Sequence, residues 1–197
     1  MSRQRTVPNE VILEAVGGLL QQGGPAALTF ASAAAASGLS PATLVQRYGS
    51  REAMIRAALL QMWDQLDRHT VELDAQTEVS PEGAIAMLVR LSNGYGPEGD
   101  PGQGLLLLRE DFRDPVLRAR GAAWGAALTA ALGRRLTDDP AAAAILGGLM
   151  AGQWQGAVLW WGFSREGTLR GYLRREFRRW LAVMGPQIRV GTGGNRR

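Results

Sequence analysis

The stretch that decides the fold is LTFASAAAASGLSPATLVQRYGSREAM, residues 28–54. Thr29 precedes an alanine-rich run and can cap a short helix, Phe30–Ser37. Gly38 supplies the positive φ that a tight turn needs. The serine after this turn caps a second helix, Pro41–Tyr48, which has proline at its first position. Two short helices joined by a glycine turn have the size of a helix-turn-helix.

The second helix of such a motif enters the DNA major groove with its N-terminal residues toward the base edges. Gln46 can pair with adenine through both polar atoms of its amide, and Arg47 with guanine or a phosphate. Ala42 and the methyl group of Thr43 can contact a thymine methyl group, and Pro41 lies beside them. The same geometry also occurs as plain helical packing, in which Gln46 and Arg47 are ordinary surface residues. The motif therefore indicates DNA binding without requiring it.

Residue order around this motif resembles the TetR family of transcriptional regulators over about residues 8–60. The resemblance is carried by Leu28-Thr29, Ala34, Ser37-Gly38-Leu39-Ser40-Pro41-Ala42-Thr43-Leu44, Tyr48 and Ser50-Arg51-Glu52-Ala53-Met54. The remainder is similar to the family's ligand-binding and dimerisation domain in architecture only. The resemblance implies an all-α homodimer that acts as a repressor and leaves a palindromic DNA operator when a small molecule binds.

The resemblance also implies roles for single residues. The positions of Thr29 and Arg51 touch phosphate in the family, and Tyr48 stands where phenylalanine is common. Val45 and Ala33 depart from the family, which often has a phosphate-contacting tyrosine and a larger aliphatic residue there. These departures motivate an alternative, a TetR-like small-molecule-binding or adaptor dimer with weak or lost DNA binding. The full set of candidate DNA-binding residues is Thr29, Ser40, Pro41, Ala42, Thr43, Gln46, Arg47, Tyr48 and Arg51.

Composition narrows the class of protein. The chain has 197 residues, 46% hydrophobic and 20% charged, which suits a globular fold. It has no cysteine and one histidine, His69, so thiolate metal sites, multi-histidine metal sites and a cysteine nucleophile are excluded. We therefore expect a protein that is not an enzyme and that binds neither a metal ion nor a cofactor. Glu10 and Glu14 interrupt the N-terminal apolar residues, so we expect a cytoplasmic protein rather than a secreted one.

Charge is unevenly distributed along the chain. Residues 1–60 have five arginines and three acidic residues, 61–165 have nine and thirteen, and 166–197 have eight and two. The basic N-terminal segment, residues 1–60, permits DNA binding. Within it, Arg3 and Arg5 form either an N-terminal arm on the DNA backbone or minor groove, or a solvated tail. The arginine face of the last helix is either solvated or a second nucleic-acid patch.

Helical periodicity continues through the rest of the chain, without a strand pattern. It predicts helices from the region of Val7 to Gly23, from Arg51 to about Asp74, from Pro81 to about Ser92, over Leu105–Asp111, from Asp114 to about Leu136, from Pro140 to Phe163 and from Thr168 to Met184, with a loop over Asn93–Gly104. The predicted domains are a DNA-binding domain at 1–50, an effector-binding and dimerisation domain at 51–185 whose first helix, 51–74, links the two, and a disordered tail at 186–197.

Large apolar side chains in the second domain either line an effector cavity or fill the core. Trp124 and Trp154 are the preferred cavity residues, because both lie in helices rich in glycine and alanine. Gln153 is a polar residue that can orient a ligand. The candidate effector-binding residues are Trp63, Met87, Leu91, Trp124, Gln153 and Trp154, and they favour an apolar or aromatic effector.

Gly148, Gly152 and Gly156 recur every four residues, which places them on one helix face and permits close helix approach. With the apolar face of the last helix, they predict a four-helix dimer interface: Gly148, Gly152, Gly156, Leu173, Phe177 and Trp180. The 23 uncharged residues Ala141–Phe163 are also long enough to span a membrane. Glutamines near the middle of this segment favour the interface over the span.

Overall fold

The computed structural model describes residues 7–94 and 101–185, and within these ranges it contains nine α-helices and no strand. The all-α fold that the sequence predicts is therefore confirmed. Arg3 and Arg5, interpreted as either an N-terminal arm or a solvated tail, lie outside the described residues, as does the segment 186–197, which was predicted to be disordered. The helices are α1 (Asn9–Gly23), α2 (Phe30–Ser37), α3 (Pro41–Tyr48), α4 (Arg51–Gln76), α5 (Pro81–Leu91), α6 (Pro101–Arg113), α7 (Pro115–Leu136), α8 (Pro140–Ser164) and α9 (Leu169–Met184).

The first of two compact units contains α1–α3, α4 as far as Asp67, and Gly102–Gly121. Apolar residues at three- and four-residue spacing bury one face of α1 against α2, and α2 packs on α3. The first turns of α4 bury Met54 and Ala58 completely in the same core, so this unit extends past residue 50. The buried core consists of Ile12, Leu13, Val16, Leu20, Leu28, Ala33, Ala34, Leu44, Met54, Ile55, Ala58, Leu59 and Leu117.

The first unit is called the head below, and its buried core the head core. The turn between α6 and α7 packs into this core. Leu117 is buried in it, and Leu107 packs against it. Asp114 begins α7 by accepting a hydrogen bond of 2.8 Å from the backbone N–H of Val116. The same carboxylate pairs with Arg56 of α4. An ion pair and a buried leucine therefore hold the α6–α7 turn against α4.

Helix α6 is longer than the sequence predicts. The glycines and prolines of Asn93–Gly104 predict a loop before a short helix at Leu105–Asp111, but α6 begins at Pro101. Proline suits the first helical position because its φ is already helical and its missing N–H costs no bond there. Residues 95–100 of the predicted loop lie outside the described ranges.

The second compact unit contains the end of α4, all of α5, and the chain from Ala122 through α8 and α9. Helix α9 packs on both α5 and α8. Leu173 and Phe177 are completely buried there. Asp139 caps α8 and Thr168 caps α9, each by accepting a hydrogen bond of 3.1 Å from a backbone N–H of the first turn. Both helices therefore begin where their polar caps predict.

Helices α7 and α8 approach closely at two glycines. A Cβ atom on Gly147 would lie 2.1 Å from the carbonyl oxygen of Thr129, and one on Gly133 would lie 2.2 Å from that of Ala143. No side chain fits at either distance, so only glycine permits this crossing. Helix α8 includes the uncharged stretch considered as a membrane span. In the part of the chain that the structure describes, none of the helices combines the length and apolarity that crossing a membrane requires.

Arg135 is fully buried and holds the C-terminal end of α4. Its guanidinium donates to Asp74 Oδ1 at 2.6 Å and to the carbonyl oxygens of Asp74, Thr77 and Glu78 at 2.8, 3.1 and 3.1 Å. Burial acts to raise the pKa of Asp74, but hydrogen bonds and positive charge from Arg135 and Arg134 outweigh it and lower the pKa below its ordinary value. One side chain thus satisfies the carbonyl group of Asp74 in the last turn of α4 and those of Thr77 and Glu78 just beyond the end of the helix.

Candidate functional site

The helix-turn-helix is fixed by reciprocal caps. Thr29 Oγ1 accepts from the backbone N–H of Ser32 at 3.0 Å, and Ser32 Oγ accepts from that of Thr29 at 2.9 Å. Gly38 has φ 72°, and Ser40 Oγ accepts from the backbone N–H of Thr43 at 3.1 Å. Because each cap lies within one turn of its partner, the sequence predicts this local structure, and the bounds of α2 and α3 are confirmed.

Helix α3 rests on the head through one fully buried side chain, that of Leu44. Ala42, Val45 and Gln46 recur at helical spacing and are all exposed, so they form one outward stripe. Pro41 precedes them and is also exposed. The side chain of Val45 is 45% exposed. The structure thus places Pro41, Ala42 and Gln46, three of the predicted base-reading residues, on one accessible surface.

Arg47 and Tyr48, two of the predicted DNA-contacting residues, bond to distant residues of their own chain. Arg47 Nη1 donates to the carbonyl oxygen of Val7 at 3.1 Å, and Tyr48 Oη donates to Asn9 Oδ1 at 2.7 Å. Burial raises the pKa of Tyr48 more than the neighbouring Arg47 lowers it, so the hydroxyl stays a neutral donor. By contrast, the amide of Gln46 makes no hydrogen bond to any described residue.

Arg51 joins the start of α4 to the segment before α2. Its Nε donates to the carbonyl oxygen of Leu28 at 2.6 Å, and Nη2 donates to that of Pro25. These acceptors lie 23 and 26 residues earlier in the chain, respectively, so no local sequence pattern predicts the contact. The phosphate-contacting role that the resemblance implies for Arg51 therefore competes with a positioning role inside the head.

The candidate effector residues do not form one group. Trp124 and Trp154 meet in the core of the second unit with ring centroids 6.2 Å apart. Their indole N–H groups donate to Thr70 Oγ1 at 2.9 Å and Ser92 Oγ at 2.8 Å. Both donors are thus satisfied within the chain, and the rings contribute to the core. Met87 and Leu91 are likewise buried, and Gln153 is exposed.

Trp63 lies in the first unit and bonds to a carboxylate. Its Nε1 donates to Asp111 Oδ1 at 3.0 Å. Burial raises the pKa of Asp111, and nearby Glu110 adds to the effect, while the indole hydrogen bond opposes it. Asp114, one turn later, has its pKa lowered. Hydrogen bonds from the start of α7 and from Arg56 outweigh the effect of burial there.

The predicted glycine face of α8 is open. No heavy atom of the chain lies within 4 Å of a Cβ built on Gly152 or Gly156. The surrounding apolar residues are exposed, and with the glycines they follow an alternating four- and three-residue spacing. This outer stripe of α8 consists of Ile145, Leu149, Gly152, Gly156, Leu159 and Phe163.

The α9 part of the predicted interface needs correction. Leu173 and Phe177 have no exposed surface, because they pack inward within their own unit. They therefore belong to the core and offer no contact surface. Trp180 is half-buried, and Gly148 lies exposed beside the outer stripe of α8. The apolar periodicity of α9 predicts a buried face correctly but does not show which helices bury it.

Among residues 7–94 and 101–185, no group of three or more histidine, aspartate or glutamate side chains is arranged to hold a metal ion.

Sequence comparison finds no matching family model and no matching curated protein. Solved structures do match. The multidrug binding protein EbrR in complex with imidazole is 21% identical, with a TM-score of 0.59 over 98% of this chain and 99% of that chain. SCO1917, a TetR-family member from Streptomyces coelicolor A3, is 22% identical, with a TM-score of 0.60 over 93% and 100%. A protein from Saccharomonospora viridis, named as a transcriptional regulator and crystallised with choline, is 17% identical, with a TM-score of 0.65 over 87% and 94%.

These matches extend over nearly the whole of each chain, whereas the sequence resemblance covers only the head. The capped helix-turn-helix and the long helices that follow it have counterparts in these proteins. From its first helix to its last, this chain has the fold of the TetR-family transcriptional regulators.

Proposed function

We propose that the chain is a homodimeric, ligand-responsive transcriptional regulator, a repressor that binds a palindromic operator in the cytoplasm. The observation that carries this proposal is the exposed stripe on α3. It consists of residues that can read base edges, on a helix whose two ends are capped and whose inward face is held by Leu44, by Tyr48 and by the bond from Arg47 to Val7. A surface helix with no binding role would not need this precise presentation of its N-terminal half.

Within this stripe, Gln46 is the primary base-reading residue, because its amide has no partner among the described residues. Ala42 and Thr43 offer methyl groups to thymine, and the capped starts of α2 and α3, at Thr29 and Ser40, face the phosphate backbone. Arg47 reaches DNA after exchanging its bond to a backbone carbonyl for a stronger bond to phosphate or guanine.

Dimerisation is proposed through the outer stripe of α8. A heptad-like stripe with glycines at its centre permits two α8 helices to pack closely, and the exposed leucines beside the glycines give such contact its apolar area. Trp180 extends this surface onto α9. A dimer presents two α3 helices about 34–36 Å apart to successive major grooves.

The effector proposed is a small aromatic or apolar molecule. Solved structures of EbrR hold imidazole, malachite green and proflavin, and the Saccharomonospora viridis protein holds choline. In this chain Trp124 and Trp154 pack on each other, so a ligand that uses them must part the two rings. Release from DNA requires tighter ligand binding to a state with the wrong spacing of α3 helices, and typical coupling is about 1–3 kcal/mol.

Helix α4 is the proposed carrier of this coupling. Its first turns belong to the head core, and Arg135 holds its last carbonyl groups in the second unit. The pair between Arg56 and Asp114 adds a second attachment to α4 at its start. A ligand that shifts the end of α4 therefore acts on the helix that carries the head.

DNA selection from a random pool, with the full-length protein at near-physiological salt, tests the DNA-binding function. We expect enrichment of a palindrome. Replacing Gln46 by alanine should relax preference at one base pair of each half-site, at a cost of about 1–3 kcal/mol against the wild-type site. Gln22→Ala, an exposed glutamine of α1, is the matched control and should leave the preference unchanged.

A second candidate function is that of a small-molecule-binding or adaptor dimer without DNA binding. The exposure of Val45 on the reading surface favours it, because valine cannot donate to phosphate. Absence of any enriched sequence from a folded dimer would support this alternative. Val45→Tyr would then be the first change to make, since a gain of DNA binding would identify the missing contact.

A further inference from the structure

Helices α5 and α9 enclose an open groove of about 440 Å³ on the second unit. Its apolar lining consists of Ile85 and Leu181 with the small residues Ala86 and Ala182. Volumes of roughly 300–1,000 Å³ are typical of small-molecule sites. The tryptophan pair of the core does not line this groove.

Two arginines line the α9 side of this groove. Arg174 and Arg178 are one helical turn apart, so their side chains share a face. Neither forms a hydrogen bond or ion pair with any described residue, although Arg175 and Arg179 on the neighbouring face both pair with Glu176. Like charges one turn apart destabilise a helix, and an anion between them would relieve the repulsion.

We infer that the α5–α9 groove binds a small amphipathic carboxylate, with its hydrocarbon body on Ile85 and Leu181 and its carboxylate between Arg174 and Arg178. Glu82 lines the α5 side of the groove and repels a second negative charge, which favours a monoanion over a dianion. This site does not depend on the proposed DNA-binding function and would stand without it.

Charge also argues against the chain's own C-terminal segment as the occupant. Residues 186–197 include three arginines and no acidic side chain. A segment of that charge would add to the repulsion between Arg174 and Arg178. A separate anion with an apolar body complements both the apolar lining and the two arginines of the groove.

Isothermal titration of the full chain with octanoate tests this inference. We expect saturable binding at one site per chain, weaker at higher salt, and little or no binding of acetate or octylammonium, which lack the body and the negative charge respectively. Arg174→Gln and Arg178→Gln should each weaken octanoate binding by about twofold to fivefold, the range expected for exposed charge pairs. Ala182→Trp should fill the groove and abolish binding while leaving the melting temperature unchanged.

Matched controls lie one position further along α9. Arg175→Gln and Arg179→Gln remove the same charge outside the groove and should leave affinity unchanged, whereas Glu82→Gln should strengthen binding. Equal affinities in the Arg174, Arg178 and control variants would overturn the inference, as would equal binding of octylammonium. Loss of the dimer in the groove variants would overturn it in favour of a second copy of the chain as occupant.

Discussion

At the scale of one residue, the buried side chain of Arg135 stabilises the end of α4 through several hydrogen bonds. Replacing it by methionine leaves the carbonyl groups of Asp74, Thr77 and Glu78 without this donor, while Arg134 still pairs with the Asp74 carboxylate. The change should cost about 1–3 kcal/mol of unfolding free energy for each acceptor left without a partner. Arg134→Gln is the matched control, because Arg134 pairs with the same carboxylate from a side chain that is 46% exposed. It should cost less than about 1 kcal/mol. Urea unfolding measures both, and equal losses would contradict the capping role of Arg135.

The stability contributions of Asp111, in α6, and Asp114, between α6 and α7, should respond oppositely to pH. The folded state raises the pKa of Asp111 above its ordinary 3.8, so the folded protein holds that proton more tightly and unfolding free energy falls as pH rises through the folded pKa. Asp114, with its lowered pKa, contributes stability above 3.8 that is lost as pH falls through its folded pKa.

Asparagine substitutions separate these two effects, because asparagine keeps an acceptor for Trp63 and can still cap α7. Relative to the wild type, Asp111→Asn should be at least as stable at pH 7 and lose that advantage on acidification. Asp114→Asn should be less stable at pH 7 and approach the wild type on acidification. Thermal melts between pH 3 and pH 7 provide the comparison, and parallel profiles would contradict the assignment.

Residues whose partners lie within one turn were predictable, and residues with distant partners were not. Thr29 and Ser40 bond to backbone groups three residues away, so sequence alone identifies both caps. Arg51 bonds more than twenty residues back, and Arg135 bonds to Asp74 across 61 residues. Because the chain has no lysine, the choice of arginine at a position does not distinguish a buried side chain from a solvated one. Only the fold shows which arginines are buried.

At the scale of the helix, two glycines of α8 should behave in opposite ways. Gly147→Ala places a Cβ against the backbone of α7 and should destabilise the chain by about 1–3 kcal/mol. Gly152→Ala meets open space, and its higher helix propensity should stabilise the isolated chain by up to about 1 kcal/mol. Thermal unfolding under dissociating conditions tests the pair, and destabilisation by both would show that Gly152 is not open.

The sequence identifies the glycine repeat of α8 but not the crossing with α7. A four-residue glycine spacing is visible along one helix, whereas Gly133 and Gly147 meet only after α7 and α8 fold against each other. The start of α6 was missed for a related reason. In the sequence, Pro101 is compatible with either the end of a loop or the first residue of a helix. The packing of Leu107 and Leu117 into the head core favours the helix.

At the scale of the whole molecule, the outer stripe of α8 should determine the oligomeric state. Leu149→Glu places a charge at the centre of the proposed contact, so we expect a monomer by light scattering and a large loss of operator affinity. Leu105→Glu on α6 is the matched control, because both leucines are 51% exposed. The control variant should remain a dimer. A dimeric Leu149→Glu variant would place the interface elsewhere.

The attachment of α3 by residues outside its exposed stripe has a consequence for evolution. Ala42, Val45 and Gln46 are exposed and are not part of the head core, so substitutions there disturb little of it, and base preference can change while the head keeps its stability. A gene duplicate of this chain could acquire a new operator through a few changes at Ala42, Val45 and Gln46. The same separation makes the helix a practical starting point for engineered specificity, with the rest of the chain left untouched.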